Sequence, residues 1–231
     1  MKAELIHEKS EEYKTLCILA EDVMNLTDGS KVFENWYKLA CLHEKRTNFK
    51  GVLYRSGTDY VICYIGTDLR SIKDHIANLL AGFWGINLQM RIANYFYKNC
   101  KERFDFYNKN LTLIGHSEGG TEATYVGIKN NVKVVTFNTF GLSRKQYDAS
   151  RDYSELVINY RDESDIVSKI RENPGTTYVV PNSFKQCTLK RVLGSVKSHR
   201  ITNMCKLSEA ILLEEYCKTH PFFIEKYKIW K

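Results

Sequence analysis

A serine between glycines lies where an apolar run gives way to a helical pattern. The segment is LTLIGHSEGGTEATYVG, and its centre, GHSEG at 115–119, fits the pattern GxSxG. Enzymes that attack an acyl carbon with a serine hydroxyl place it on such a sharp strand-to-helix turn, where only small neighbours fit. A glycine-rich turn without chemistry is the alternative, since the five residues alone are a weak signal. The strand before the pattern and the helix after it lead us to predict Ser117 as a nucleophile.

An unactivated serine hydroxyl is a weak nucleophile and needs a base. In a strand–turn–helix site of this kind the partners follow in the order serine, acid, histidine. Two histidines, His199 and His220, lie after Ser117. His220 precedes a proline in the helical C-terminal segment, whereas His199 lies in the loop GSVKSHRITNM. We favour His199 as the base, and a surface histidine in a basic loop is the alternative.

The acid should follow a strand between the serine and the histidine. ELVINYRDESD supplies such a strand, with Asp162 and Asp165 after it. Asp162 is nearer to the strand end, and Asp165 precedes an Ile-Val pair that can dock it against the core. We favour Asp165 and keep Asp162 as the fallback, with solvated loop carboxylates as the alternative. The acid would hold the histidine in one tautomer and stabilise the imidazolium.

Alternating strands and helices must bring these side chains to one edge of a sheet. Apolar runs predict a hairpin of FKGVLYR and DYVICYIG, then strands at LTLIG, VKVVTFNTFG, ELVINYR and TTYVV. Apolar residues at helical spacing predict helices at 3–26, 32–44, 69–82, 86–104, 118–130 and 207–227. The alternation predicts an α/β fold with a central, mostly parallel mixed sheet covered by helices on both faces.

The length of 231 residues suits one domain with one sizeable core. We expect a single domain over 1–231, with a helical N-terminal extension at 1–45, a catalytic core at 50–206 and a C-terminal helix at 207–231. No run reaches the ~20 apolar residues of a membrane span, and the charged start MKAELIHEKSEEYK lacks the apolar core of a signal peptide. The seven cysteines contain no CxxC pair, which favours reduced thiols over a disulfide framework or a zinc site.

The formal net charge is +7. A solvated basic surface is one interpretation, and attraction to anionic partners such as phospholipid headgroups is the other. No nucleic-acid motif accompanies the charge, so we expect no nucleic-acid partner.

The sequence resembles the class 3 lipase family, the fungal-type triacylglycerol lipases and their bacterial relatives, over about residues 50–206. The stretches that carry the resemblance are DYVICYIGTDLRSIKDHIANL, LTLIGHSEGG, VKVVTFNTFG, VINYRDESDIV and SHRITNM. The resemblance implies the α/β-hydrolase fold, with Ser117 as nucleophile, Asp165 as acid and His199 as base. It also implies an oxyanion hole formed by the N–H groups of Thr67 and Glu118.

The helix at about 70–81 would occupy the place of a lid. Its apolar residues and the aromatic pair after it would then contact lipid: Ile72, Ile76, Leu79, Leu80, Phe83 and Trp84. The alternative is a helix packed permanently on the sheet.

The predicted function is a serine carboxylic-ester hydrolase that acts on lipids through an acyl-enzyme, with phospholipase A activity favoured and no metal or cofactor required. A soluble esterase or thioesterase is the alternative within enzymes, and a non-catalytic interaction module is the alternative outside them. We expect a lipid substrate at a membrane surface and a chaperone or delivery partner. The expected location is the cytoplasm, or another cell reached without a signal peptide.

Overall fold

The computed structural model describes residues 6–22, 24, 28–66, 84–106, 109–181, 199–204 and 206–219, without the side chains of 84–87. Within these ranges one sheet contains nine strands in chain order: β1 Lys31–Phe33, β2 Trp36–Glu44, β3 Phe49–Ser56, β4 Asp59–Ile65, β5 Asn110–His116, β6 Lys133–Phe137, β7 Val157–Asp162, β8 Thr176–Val180 and β9 Ile211–Leu212. The helices beside it include α1 Ser10–Asp22, α2 Trp84–Phe104, α3 Glu118–Asn130 and α4 Leu213–Thr219. Short 3₁₀ turns lie at Val167–Lys169, Ile201–Asn203 and Leu207–Glu209.

The sheet is mixed, with its parallel part in the middle. β1 to β4 pair antiparallel, β4 to β8 pair parallel, and β9 adds antiparallel to β8. The carboxyl ends of five neighbouring strands therefore lie at one edge, where ligands bind in open α/β sheets. This confirms the predicted mixed sheet and the β3–β4 hairpin.

Alternate residues of the central strands enter two different cores. On β4, Val61 and Cys63 pack with α1 residues such as Leu16, whereas Ile62 and Tyr64 pack with residues of α2 and α3. This period-two division covers both faces of the sheet with helices, as parallel strands require. No helix among the described residues is long and apolar enough to cross a membrane.

The predicted helix at 32–44 is wrong, because this segment forms β1 and β2. β2 pairs antiparallel with β3 along its length, and its register shifts between Lys38 and Ala40. A bulge of this kind changes the phase of the in–out alternation, so the apolar residues Trp36, Leu39 and Ala40 fall at a helix-like spacing. The helical extension expected at 1–45 is thus corrected: α1 is helical, and the following strands belong to the central sheet.

The C-terminal helix expected at 207–231 is also corrected. The segment forms a 3₁₀ turn, then β9, then α4, and residues 220–231 lie outside the described ranges. Ile211 and Leu212 pair with Val179 and Tyr178, because β8 would otherwise leave unpaired backbone groups at the sheet edge.

Candidate active site

Ser117 occupies the turn between β5 and α3 in a backbone conformation that non-glycine residues rarely adopt. Its φ is 58° and its ψ is −124°, which costs about 1–3 kcal/mol and persists only where the surroundings enforce it. Its N–H donates to the carbonyl oxygen of Phe137 at the end of β6 (3.0 Å), and its carbonyl accepts from the N–H of Gly120 (3.2 Å). The turn thus presents the serine at the carboxyl edge of the parallel strands.

The two glycines of the GxSxG pattern leave the space that this turn needs. A Cβ at Gly115 would overlap the main chain of Gly119, and a Cβ at Gly119 would overlap the carbonyl oxygen of Tyr64 on β4. Larger residues would push α3 away from the sheet, so the small residues are a packing requirement of the serine's placement.

A continuous hydrogen-bonded chain joins the serine, a histidine and an aspartate. Ser117 Oγ lies 2.7 Å from Nε2 of His199, and Nδ1 of His199 lies 3.0 Å from Oδ2 of Asp165. Since a carboxylate can only accept, Nδ1–H donates to Asp165 and Nε2 accepts from the serine hydroxyl. His199 and Asp165 are fully buried. The structure therefore brings together the three residues that the sequence analysis favoured.

Asp165 is held as an acceptor by the 3₁₀ turn that follows it. Its carboxylate accepts from the N–H groups of Val167 and Ser168, each at 3.1 Å. Burial opposes its ionisation, but the neighbouring His199 and the hydrogen bonds from Ser168 outweigh burial, and the pKa of Asp165 lies below its usual value. The carboxylate thus stays charged and can stabilise an imidazolium beside it.

Asp162, the fallback acid, faces a different partner. Its Oδ1 accepts from the N–H of Ser164 at 2.7 Å. Burial, together with the nearby negative charge of Asp165, raises its pKa to about 7 although the hydrogen bond from Ser164 opposes this. The hydrogen-bond geometry therefore favours Asp165 over Asp162 as the partner of the histidine.

One half of the predicted oxyanion hole lies among the described residues. Glu118 is the first residue of α3 and directly follows the serine, so its N–H lies at the start of the helix. Gly66 brings the end of β4 against this turn: a Cβ there would lie 2.6 Å from the carbonyl oxygen of His116 and 3.1 Å from the Cβ of Ser117. Thr67, the next residue, lies outside the described ranges, and its role stays a prediction.

Two polar residues to which the sequence analysis gave no role contact the loop of the histidine. Nε2 of His116 lies 2.6 Å from the carbonyl oxygen of His199, and Nδ2 of Asn138 lies 3.3 Å from the same oxygen. A usable signal was present, since each residue ends or directly follows an apolar parallel strand at the edge that carries the site.

The predicted lid residues Ile72, Ile76, Leu79, Leu80 and Phe83 lie outside the described ranges, as does the side chain of Trp84, where α2 begins. Their contact with lipid stays a prediction. In the described part of the chain no group of three or more His, Cys, Asp and Glu residues is arranged to hold a metal ion.

A model of the phospholipase-like family, described as the Tle-like phospholipase domain, matches residues 8–210. The match includes α1, β1 and β2, which the sequence resemblance starting near residue 50 did not cover. No curated protein sequence matches the chain significantly.

Several solved lipases have a similar fold. The lipase from Rhizopus microsporus var. chinensis has 15% identity and a TM-score of 0.61, over 84% of this chain and 85% of that chain. The triacylglyceride lipase of Rhizomucor miehei has 15% identity and a TM-score of 0.60, over 77% of this chain and 80% of that chain. Lipase II from Rhizopus niveus has 15% identity and a TM-score of 0.59, over 74% and 80%. The fold is therefore the α/β-hydrolase fold that the sequence resemblance implied.

Proposed function

The chain belongs to the phospholipase-like family of Tle-like phospholipase domains, and from this premise we propose that it is a phospholipase A that hydrolyses the acyl esters of membrane phospholipids. Family and fold make the chain a serine carboxylic-ester hydrolase. The observation that carries the proposal is the buried chain of hydrogen bonds from Ser117 through His199 to Asp165, at 2.7 and 3.0 Å.

The geometry supports a two-step acyl transfer. His199 accepts the hydroxyl proton through Nε2 while Ser117 Oγ attacks the ester carbonyl, and Asp165 stabilises the imidazolium that forms. The N–H of Glu118 donates to the tetrahedral oxyanion, where one such donor lowers the barrier by about 3 kcal/mol. His199 then protonates the departing lysophospholipid oxygen, which leaves an acyl-enzyme on Ser117. Water, deprotonated by His199, releases the fatty acid.

The charge of the chain supports phospholipid over neutral lipid as substrate. The net charge of +7 attracts the protein to a surface rich in anionic headgroups, where each basic residue near the surface contributes about 1 kcal/mol. Such attraction raises the local concentration of an enzyme whose substrate is part of the surface, and it weakens as salt screens the charges.

Product analysis with vesicles tests the proposal. Vesicles of phosphatidylcholine, with or without phosphatidylglycerol, are incubated with wild type, Ser117→Ala and Ser150→Ala, and the lipid products are identified by mass spectrometry. Ser150 is the matched control, because its exposed hydroxyl donates to the side chain of Asp148 at 2.7 Å. We expect fatty acid and lysophospholipid from wild type and Ser150→Ala, none from Ser117→Ala, and faster release from the anionic vesicles at low salt.

Other outcomes separate the alternatives. Hydrolysis of triacylglycerol emulsion with intact phospholipid would replace the proposal by a neutral-lipid lipase. Turnover of soluble short-chain esters alone would favour an esterase. Release of diacylglycerol or phosphatidic acid would contradict attack on the acyl ester.

A further inference from the structure

The main-chain carbonyl oxygen of His199 lies between two buried donors. Nε2–H of His116, at the end of β5, donates to it at 2.6 Å, and Nδ2–H of Asn138, directly after β6, donates at 3.3 Å. His116 is 5% exposed and Asn138 is 0% exposed, so neither hydrogen bond competes with bulk water. We infer that His116 and Asn138 are positioning residues, which hold the main chain of His199 so that its Nε2 meets the serine hydroxyl.

His199 depends on tertiary contacts for its position. The described chain at this point is a turn followed by the 3₁₀ turn Ile201–Asn203, whereas Ser117 is fixed by the junction of a strand and a helix. A short turn of this kind defines its own orientation poorly, so the direction of the imidazole must be set by what the turn contacts. The two hydrogen bonds hold the main chain of His199 at its own carbonyl oxygen.

The imidazole ring of His199 also packs near two other rings. The ring of His116 lies 5.0 Å away, tilted by 40°, and the ring of Phe140 lies 6.2 Å away, almost parallel at 4°. These two ring contacts restrict rotation of the imidazole, while the carbonyl contacts restrict translation of its backbone. Proton transfer requires both the orientation of the ring and the position of its backbone to be held, because misplacement by about 1 Å can cost ~10²-fold in rate.

Asn138 connects the base to the acid-bearing turn. Its side-chain oxygen accepts from the N–H of Asp162 at 2.8 Å while its side-chain nitrogen donates to His199. Its own main-chain N–H donates to the main-chain carbonyl oxygen of Tyr160 at 2.8 Å. Its φ of 48° turns the chain out of β6. Asp165 follows Asp162 by three residues, so one amide side chain fixes the relative position of the two turns that carry acid and base.

His116 donates without adding charge to the site. Burial, reinforced by the nearby His199, lowers its pKa to about 3, although the half-exposed carboxylate of Glu21 lies 3.8 Å from Nδ1. The ring is therefore neutral, and its Nε2–H points at the carbonyl oxygen. A second cation beside His199 would oppose formation of the catalytic imidazolium. The neutral state thus allows positioning without electrostatic interference.

Kinetics of four variants test the inference: His116→Leu, His116→Gln, Asn138→Gly and the double variant His116→Leu/Asn138→Gly. The readouts are kcat and KM for a soluble p-nitrophenyl ester and the second-order rate of labelling by a fluorophosphonate. We expect kcat and labelling of His116→Leu to fall ~10²-fold with KM changed little, because positioning is lost rather than binding. Glutamine, which can donate from a similar distance, should recover most of this loss. The double variant should lose less than the product of the single losses, since both donors serve one oxygen.

Thr136→Val is the matched control, because Thr136 is a buried residue of β6 whose hydroxyl bonds Asn159 rather than the site. It should lower thermal stability without changing the labelling rate. The inference is overturned if folded His116→Leu labels as fast as wild type, or if His116→Gln is as slow as His116→Leu. If His116→Leu does not fold, Asn138→Gly carries the same test. The inference rests on the proposed serine-hydrolase function. If the fluorophosphonate does not label wild type, that function is refuted rather than the positioning role. The test does not depend on phospholipid being the substrate.

Discussion

Replacing Asp162 by asparagine should stabilise the protein in a pH-dependent way. Asp162 is 1% exposed, and burial raises its pKa to about 7 from a reference of 3.8. Asparagine keeps the shape and the oxygen that accepts from Ser164, but it has no charge to bury. The comparison therefore isolates the cost of ionising this carboxyl in the folded state.

The sign follows from proton binding. Between pH 3.8 and about 7 the unfolded chain has lost the Asp162 proton and the folded chain has kept it, so the free energy of unfolding falls as pH rises. Each pH unit in this window costs about 1.4 kcal/mol. Over the window of about three pH units the total is ~4 kcal/mol, and the effect is constant above it. Relative to wild type, Asp162→Asn should thus gain little at pH 4 and up to ~4 kcal/mol at pH 8.

Urea unfolding followed by far-UV circular dichroism at a series of pH values measures this difference. The control is Asp148→Asn, an exposed carboxyl whose pKa is lowered by hydrogen bonds from Ser150 and whose removal should not stabilise the protein at high pH. A stability difference between Asp162→Asn and wild type that does not change between pH 4 and pH 8 would refute the reasoning, as would a variant that loses stability relative to wild type as pH rises.

Three further predictions concern the serine, the two aspartates and the glycines. Ser117→Ala should lower kcat by ~10⁴-fold or more and abolish fluorophosphonate labelling with no loss of fold by circular dichroism; residual labelling would point to another nucleophile. Asp165→Asn should lower kcat by about 10⁴-fold, because it favours the wrong tautomer of His199. In the same esterase assay, the kcat of Asp162→Asn should stay within about tenfold of wild type. The reverse ranking would exchange the roles of the two aspartates. Gly119→Ala should destabilise the protein by at least ~2–3 kcal/mol in thermal unfolding, because its Cβ overlaps the main chain of Tyr64. The control Gly57→Ala has open space and only its φ of 58° to accommodate, so it should cost about 1 kcal/mol. Equal costs for the two variants would show that α3 can move aside.

The segment at 32–44 shows where sequence reasoning failed. Its apolar residues have a spacing that suits a helix, yet it forms β2 because β3 offers a pairing edge. Pairing with a strand that follows it in the chain is a tertiary event, and it overrides local periodicity. The register shift at Lys38 conceals the period-two pattern that would have revealed the strand.

The acid of the site shows a different limit. Asp162 and Asp165 follow the same strand, and their order along the chain does not tell which carboxylate reaches the histidine. The 3₁₀ turn after Asp165 decides it, because its N–H groups orient that carboxylate toward His199. Only the folded backbone reveals this orientation.

The turn at Ser117 was predictable from local sequence, since the glycines at 115 and 119 and the strand-to-helix switch act within a few residues of it. The sequence also determined the α/β class, because alternation of apolar strands and amphipathic helices is a local property. Tertiary contacts were needed to show which carboxylate lies against His199, that residues 31–44 extend the sheet, and that His116 and Asn138 donate to the carbonyl oxygen of His199. These outcomes depend on contacts between residues that are separated in the chain, by up to 18 residues between β2 and β3 and by 83 residues between His116 and His199. The packing of the whole chain governs whether such contacts form.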